Sequence, residues 1–344
     1  MTTFCLFTDP HLGTRRAAHT TRESSKRLQQ SLFDSAMKIA QGAENPICLG
    51  DLFDRSANDE ATLVQGYSVA SRCVATLAGN HDCSNREGTV TSLDALAEMG
   101  CPIVRSPNLS TPFFAVLNGI YFVPHHASQA LFEKAMFDAA AHAAHHREGL
   151  ASVLMLHCNY DCAFEIEDDT LNLPAEVAEQ LLNAFDYIFL GHEHKPSTHF
   201  NGRVVVLGNT AVTSFSDVSS KFIYELEMTD DSLDLRPIEI WSKAKGYRKL
   251  KFGEAIPDLA GVQFVDVVGT EADGVAVSQY LQEVWAASDD LLAVRNNVDI
   301  ADVLADETSD EPAEHIDVAQ RIDNDLEGSD LQALYRELRK EAEL

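Results

Sequence analysis

Seven side chains able to hold a divalent metal ion occur in a set order through the first two-thirds of the chain. They are Asp9 and His11 in Asp9-Pro10-His11, Asp51 in Gly50-Asp51-Leu52-Phe53-Asp54, and Asn80 in Gly79-Asn80-His81-Asp82. His157 follows in Leu156-His157-Cys158, then His192 and His194 in Gly191-His192-Glu193-His194. Two divalent cations about 3.5–4 Å apart need a bridging anion, which a carboxylate can supply. Asp51 is the natural bridge. Imidazoles and the neutral Asn80 oxygen fill the outer positions without adding charge, so the ions stay Lewis-acidic. No member of the set is a cysteine, which disfavours a structural zinc site. A mixed imidazole, carboxylate and amide set suits manganese or iron, and zinc also accepts it. Each piece alone is common: Gly-Asp usually marks a turn, and Gly-Asn-His also fits a turn with a surface histidine. The argument rests on their joint occurrence, in order, each after a short apolar run.

Those runs are the elements that must position the ligands. Phe4–Phe7 precedes Asp9 and His11, Ile47–Leu49 precedes Gly50-Asp51, and Val74–Ala78 precedes Gly79-Asn80. Val153–Leu156 precedes His157, and Tyr187–Leu190 precedes Gly191-His192. They read as strands buried on both faces. Helical patterns lie at 22–41, 59–72 and 174–184. Alternating strands and helices predict a layered α/β domain with helices on both faces. Open α/β sheets gather ligand-binding residues at the carboxyl ends of their strands. Residues far apart in sequence can therefore meet at one edge of one sheet.

The series D-P-H, G-D-L-F-D, G-N-H-D, H and G-H-E-H resembles the calcineurin-like metallophosphoesterase superfamily over residues 9–194. Asp9-Pro10-His11-Leu12-Gly13 resembles the opening of SbcD-type nucleases of the double-strand-break repair complex, and Asp51-Leu52-Phe53-Asp54-Arg55 fits bacterial and phage members. Cys101–Val104 and Gly119–Pro124 are similar to their next two strands. Leu207–Thr210, Ser214–Asp217 and Lys221–Leu226 are similar to the segments after their last histidine. The resemblance implies central β-sheets flanked by helices, with a small α+β capping domain. It assigns Asp9, His11, Asp51 and His194 to one ion, and Asp51, Asn80, His157 and His192 to the other. The ions would be two divalent metals, Mn²⁺ first, with Fe²⁺ or Zn²⁺ as alternatives. It makes His81 the general acid, near the metals but not bound, with Asp82 orienting its ring. Family members with histidine at the position of Asp54 give that residue a role that does not transfer here. The implied chemistry is in-line attack on a phosphodiester by metal-activated water.

A chain of 344 residues holds one large domain and a small one, and 45% hydrophobic content is ordinary for a globular protein. No run approaches a transmembrane length, and the amino-terminal residues lack a signal pattern. Seven scattered cysteines read as reduced thiols of a cytoplasmic protein. The net charge of −28 opposes a DNA-binding reading, because nucleic-acid binders usually carry a basic footprint. Two bound cations soften the objection, as does the acid concentrated at 299–317 and 323–330.

The divisions expected are a catalytic domain over 1–250, a capping domain over 251–300, and an acidic linker with a partner-binding helix over 301–344. Val262–Val268, Ala276–Ala286 and Leu291–Val294 read as strand, helix and strand. Residues 302–317 read as a flexible linker, and Leu326, Leu331, Leu334, Tyr335 and Leu338 recur at helical spacing. The resemblance implies that this helix docks on a coiled-coil ATPase subunit of SbcC type. It also implies a homodimer through helices near 59–72 and 89–99. Ala139–His146 reads as an Ala-rich exposed helix, although its histidines could bind metal, and His125 and His126 as rim residues. Three functions compete. They are a Mn²⁺-dependent DNA exonuclease and endonuclease subunit, a stand-alone phosphodiesterase or phosphatase on small esters, and a non-enzymatic scaffold. The intact ligand set argues against the scaffold.

Overall fold

The computed structural model describes residues 1–14, 22–84, 89–108, 111–146, 151–162, 170–229, 232–271 and 273–300. The chain begins with β1 (Thr2–Phe7), α1 (Arg22–Gly42), β2 (Pro46–Cys48), α2 (Glu60–Ala70), β3 (Ala75–Leu77), α3 (Ser92–Glu98) and β4 (Ile103–Val104). Next come β5 (Ala115–Leu117), β6 (Ile120–Val123), α4 (Gln129–His146), β7 (Val153–His157), β8 (Asn159–Tyr160) and β9 (Asn172–Leu173). They are followed by α5 (Ala175–Leu181), β10 (Tyr187–Gly191), β11 (Ser197–His199) and β12 (Val204–Val206). The described part closes with β13 (Lys221–Met228), β14 (Leu233–Trp241), α6 (Lys243–Gly246), β15 (Tyr247–Lys251), β16 (Phe264–Glu271), α7 (Gly274–Ala286) and β17 (Ala293–Ile300).

The apolar runs become strands, but not of one sheet. β1, β2 and β3 lie in a six-stranded sheet of order β14-β13-β1-β2-β3-β4, while β7 and β10 lie in a second of order β11-β12-β10-β7-β6-β5. Within each sheet the ligand-bearing strands run parallel, β1 with β2 and β2 with β3, and β7 with β10. The central β-sheets that the resemblance implies are present, and the ligand-bearing strands are shared between two sheets rather than gathered in one. Uniformly apolar strands need cover on both faces, and each sheet is the cover of the other. Phe4, Leu6, Ile47 and Leu77 of the first share one core with Phe122, Val153, Met155 and Phe189 of the second. The outer face of the first sheet packs on α1, α2 and α3 through Ala36, Val69 and Leu93. The outer face of the second packs on α4 and α5 through Phe132, Met136, Ala178 and Leu181. The result is the layered α/β architecture of the metallophosphoesterase fold.

Helix ends follow local chemistry. Asp59 caps α2 by accepting the Thr62 amide, and Thr91 with Asp94 forms a reciprocal capping box on α3. The alanines of α4 are not simply exposed: Ala135, Ala139 and Ala143 are buried, and His142 lies 3.1 Å from the Tyr121 hydroxyl. That contact gives the histidine a packing role, and among the described residues no metal-binding group includes it.

β15, β16 and β17 form a separate parallel sheet with its own core, in which Val265, Val267, Val277 and Val284 meet. This sheet begins at Tyr247, so the division expected after residue 250 falls inside β15. The predicted strand, helix and strand correspond to β16, α7 and β17. The linker at 302–317 and the helix expected beyond it lie outside the described residues. All seven cysteines are free thiols. Among the described residues no helix is long and apolar enough to cross a membrane.

Candidate metal centre

The loops after β1, β2, β3, β7 and β10 all open on the same edge of the two stacked sheets. The first two are zipped together: the amides of Asp9 and His11 donate to the carbonyls of Gly50 and Asp51, each at 3.1 Å. Asp9, His11, Asp51 and His192 all have positive φ, at 54°, 46°, 49° and 92°. Such backbone costs about 1–3 kcal/mol per residue and persists where the surrounding structure imposes it. Its concentration on four of the seven candidate ligands marks a built site.

Three groups of potential ligand atoms result, each within 4.8 Å: Asp9 with His11 and His194, His11 with Asp51 and His81, and Asp51 with His157 and His192. The Nε2 atoms of His11 and His194 face each other at 3.0 Å. One Asp51 oxygen lies 3.3 Å from His157 Nε2, 3.8 Å from His11 Nε2 and 4.0 Å from His81 Nε2. The Asn80 amide oxygen is 3.0 Å from His192 Nδ1. Asp51 thus stands between two sets of imidazoles, where a bridge would stand.

The donor set fits a pair of cations. Asp9 uses Oδ2 to accept from the Thr8 hydroxyl at 2.6 Å and the His192 amide at 3.0 Å. Its other oxygen, Oδ1, is buried with no hydrogen-bond partner, and His157 Nε2 is buried 3.3 Å from an Asp51 oxygen. Buried polar atoms are normally paired, and these two point into the cluster. The Nδ1–H of His157 donates to the Leu49 carbonyl at 2.7 Å, which turns Nε2 inward.

The electrostatics of the cluster are those of charges taken out of water. Burial raises the Asp9 carboxyl. Burial would raise Asp51 too, but the imidazoles of His157, His11 and His81 outweigh it and hold it below the usual range. For His157, burial is overcome by Asp51, and its pKa is pushed up to about 10. Burial and the neighbouring His157 lower His192 to about 3.

Two glycines are required by close approach. A Cβ on Gly50, whose φ is 107°, would enter the His157 ring. A Cβ on Gly79 would lie against the Asp51 carboxylate and 2.8 Å from His157 Nε2.

One expectation is overturned. Asp82 does not orient His81. Its carboxylate is buried and accepts from the amides of Phe53 at 3.0 Å, Gly79 at 3.1 Å and Leu52 at 3.2 Å. It ties the β2 and β3 loops together, and burial with the charge of Asp51 raises it to about 7. The His81 ring is instead held by its Nδ1, 2.9 Å from the carbonyl of Asp54. His126 is structural as well, between the Pro124 carbonyl at 2.7 Å and the Phe113 amide at 3.0 Å.

Sequence reasoning missed the carboxylates behind the ligands. Asp54 Oδ1 lies 3.5 Å from His11 Nδ1, and Asp217 Oδ2 lies 3.6 Å from His194 Nδ1. Both occur in segments quoted for the resemblance, but nothing in their spacing marks them as partners of a histidine.

Stacked sheets with a buried carboxylate–imidazole cluster at their shared edge form, as a class, a scaffold for two-metal hydrolysis. Residues 2–196 match the family model described as calcineurin-like phosphoesterase, and the chain belongs to that family. The family is dimetal-dependent and its chemistry is phosphoester hydrolysis. No curated protein sequence matches the chain. Among solved structures it is similar to a Staphylococcus aureus protein assigned as a 5'-nucleotidase, with 12% identity, TM-score 0.43, and 68% of this chain and 54% of that one covered. The chain therefore spans about half the length of that structure. It is similar also to the calcineurin-like phosphoesterase YfkN of Bacillus subtilis (13% identity, TM-score 0.37, 83% and 98% covered). Vps29 of Entamoeba histolytica, complexed with zinc, is similar at 11% identity and TM-score 0.31, with 69% and 98% covered. These likenesses carry no inference about substrate.

Proposed function

We propose that the chain is the nuclease subunit of an SbcD-type complex, hydrolysing phosphodiester bonds of DNA in both exonuclease and endonuclease modes. The observation that carries the reading is His81. Its ring is half-buried at the rim of the cluster, anchored through Nδ1 to the Asp54 carbonyl, with Nε2 4.0 Å from Asp51. A protonated imidazole so placed can give its proton to the 3′-oxygen leaving a phosphodiester. Asp9, His11, Asp51 and His194 would hold one ion, and Asp51, Asn80, His157 and His192 the other. When bound, the pair supplies a nucleophile at neutral pH and stabilises charge on the phosphoryl oxygens. The buried carboxylates Asp9 and Asp51 close the floor of the site. Asn80, His81, His192 and His194 are partly exposed and form the side open to substrate.

The remaining assignments belong to the same proposal. The β15–β17 sheet with α7 guides DNA, and residues 318–344 dock on a coiled-coil ATPase. A second copy of the chain packs on α2 and α3, supported by exposed Val64, Tyr67, Val90 and Met99. The net charge of −28 favours a second reading, a stand-alone hydrolase of small phosphate esters. The test is Mn²⁺-dependent digestion of linear duplex DNA by the full chain, with and without the ATPase, beside hydrolysis of bis(4-nitrophenyl) phosphate and 4-nitrophenyl phosphate. Cutting of DNA that the ATPase stimulates supports the first reading. Turnover of the small esters with DNA left intact under both conditions supports the second.

A further inference from the structure

We infer that Asp217, backed by Lys221, is the positioning residue that sets the ring of His194 for metal binding. The inference rests on reading the cluster as a metal centre. An imidazole offers two nitrogens, and the partner of one decides which lone pair the other presents. His194 Nδ1 lies 3.6 Å from Asp217 Oδ2, and its Nε2 faces His11 Nε2 at 3.0 Å. The carboxylate charge beside Nδ1 favours the proton on that nitrogen, which leaves the Nε2 lone pair turned into the cluster.

The position of Asp217 is itself over-determined. Its Oδ2 accepts from Asn209 Nδ2 at 2.7 Å, the Thr213 amide at 3.1 Å and the Thr213 hydroxyl at 3.2 Å. Its Oδ1 receives the Lys221 ammonium at 2.6 Å. Lys221 is wholly buried and also donates to Asn209 Oδ1 at 2.5 Å, the Asp217 carbonyl at 3.0 Å and Ser219 Oγ at 3.1 Å. It reaches the carbonyl of His194 at 3.3 Å. One ammonium therefore holds both the backbone of His194 and the carboxylate behind its ring. The far side of the loop is pinned by Phe215, which meets Phe264 edge-on and lies 4.8 Å beneath the Arg295 guanidinium. Among the described residues Asp217 belongs to none of the potential ligand groups, and its carboxylate is matched by the Lys221 ammonium.

The test uses the full chain with three variants, Asp217→Asn, Lys221→Met and the double variant. Mn²⁺ stoichiometry and affinity are read by calorimetry, the His194 ring tautomer by nitrogen NMR of the metal-free protein, and folding by thermal melting. Wild type should bind two ions. Asp217→Asn should bind one of them about 10- to 100-fold more weakly, the range found when the partner of a metal-bound histidine is removed. The Nδ1–H tautomer of His194 should be lost with it. Lys221→Met should shift both readouts in the same direction. In a His194→Ala background Asp217→Asn should have no further effect. A folded Asp217→Asn protein with both native affinities and an unchanged tautomer overturns the inference. Wild type that binds no ions would instead sink the metal-centre reading, with the tautomer still reporting on Asp217. If a single variant unfolds, the double variant, which leaves no unpaired charge in the core, gives the same readouts.

Discussion

Replacing Gly79 by alanine removes no proposed ligand, yet it should disable the site. A Cβ at residue 79 would lie 2.5 Å from the Asp51 amide nitrogen and 2.8 Å from His157 Nε2, and would meet the Asp51 carboxylate. Heavy atoms in good contact sit about 3.5–4.0 Å apart, so the shortfall is roughly 1 Å. The Asp51 neighbour is backbone, and the His157 ring is tethered to the Leu49 carbonyl at 2.7 Å. The accommodation therefore falls on the 79–81 loop, which carries Asn80 and His81. Overpacking of this kind costs about 1–3 kcal/mol of stability, and a 1 Å misplacement of reacting groups costs on the order of 10²-fold in rate. The assay is bis(4-nitrophenyl) phosphate hydrolysis at saturating Mn²⁺, with metal content by elemental analysis and a melting curve. Gly42→Ala is the control, since a Cβ there meets nothing within 4 Å. Gly79→Ala should turn over about 100-fold more slowly while remaining folded. A rate within threefold of wild type, with two ions bound, would show that the steric reasoning is wrong.

Two further outcomes follow from the same geometry. His81→Ala should retain both ions and lose about 10²–10⁴-fold in turnover, the range for a positioned general acid; loss of an ion by elemental analysis would make His81 a ligand instead. Mn²⁺ binding should release protons, because Asp51 overcomes burial and raises metal-free His157 to about 10, and its ring must lose that proton to ligate. Apparent affinity should then climb as pH rises from 7 towards 10. The His157–Asp51 contribution to metal-free stability should be complete below the unfolded histidine pKa of about 6.5 and fade as pH passes 10. Calorimetry in two buffers of different ionisation heat checks the release, and zero net proton release would exclude His157 as a ligand charged before binding.

What could be read from the sequence was local. An apolar run of four or five residues followed by glycine and a ligand is a pattern carried by neighbours in the chain, so β1, β2, β3, β7 and β10 and the order of the ligands were visible. So were α1, α2 and α5, whose apolar spacing is a property of a single helix. Which sheet each strand joins was not visible, because a strand buried by a helix and one buried by a second sheet have the same composition. The partner of a polar side chain was equally hidden. Asp82 adjoins His81 in sequence, yet its carboxylate turns to the amides of Leu52, Phe53 and Gly79, and the histidine turns to the carbonyl of Asp54. Asp217 is 23 residues from His194 and reaches it only because β13 carries Lys221 into the first sheet beside β1. Ligand identity is written in residue type and spacing. The groups that aim each ligand are chosen by packing between segments distant in the chain, and that choice exists only once the two sheets have closed on one another.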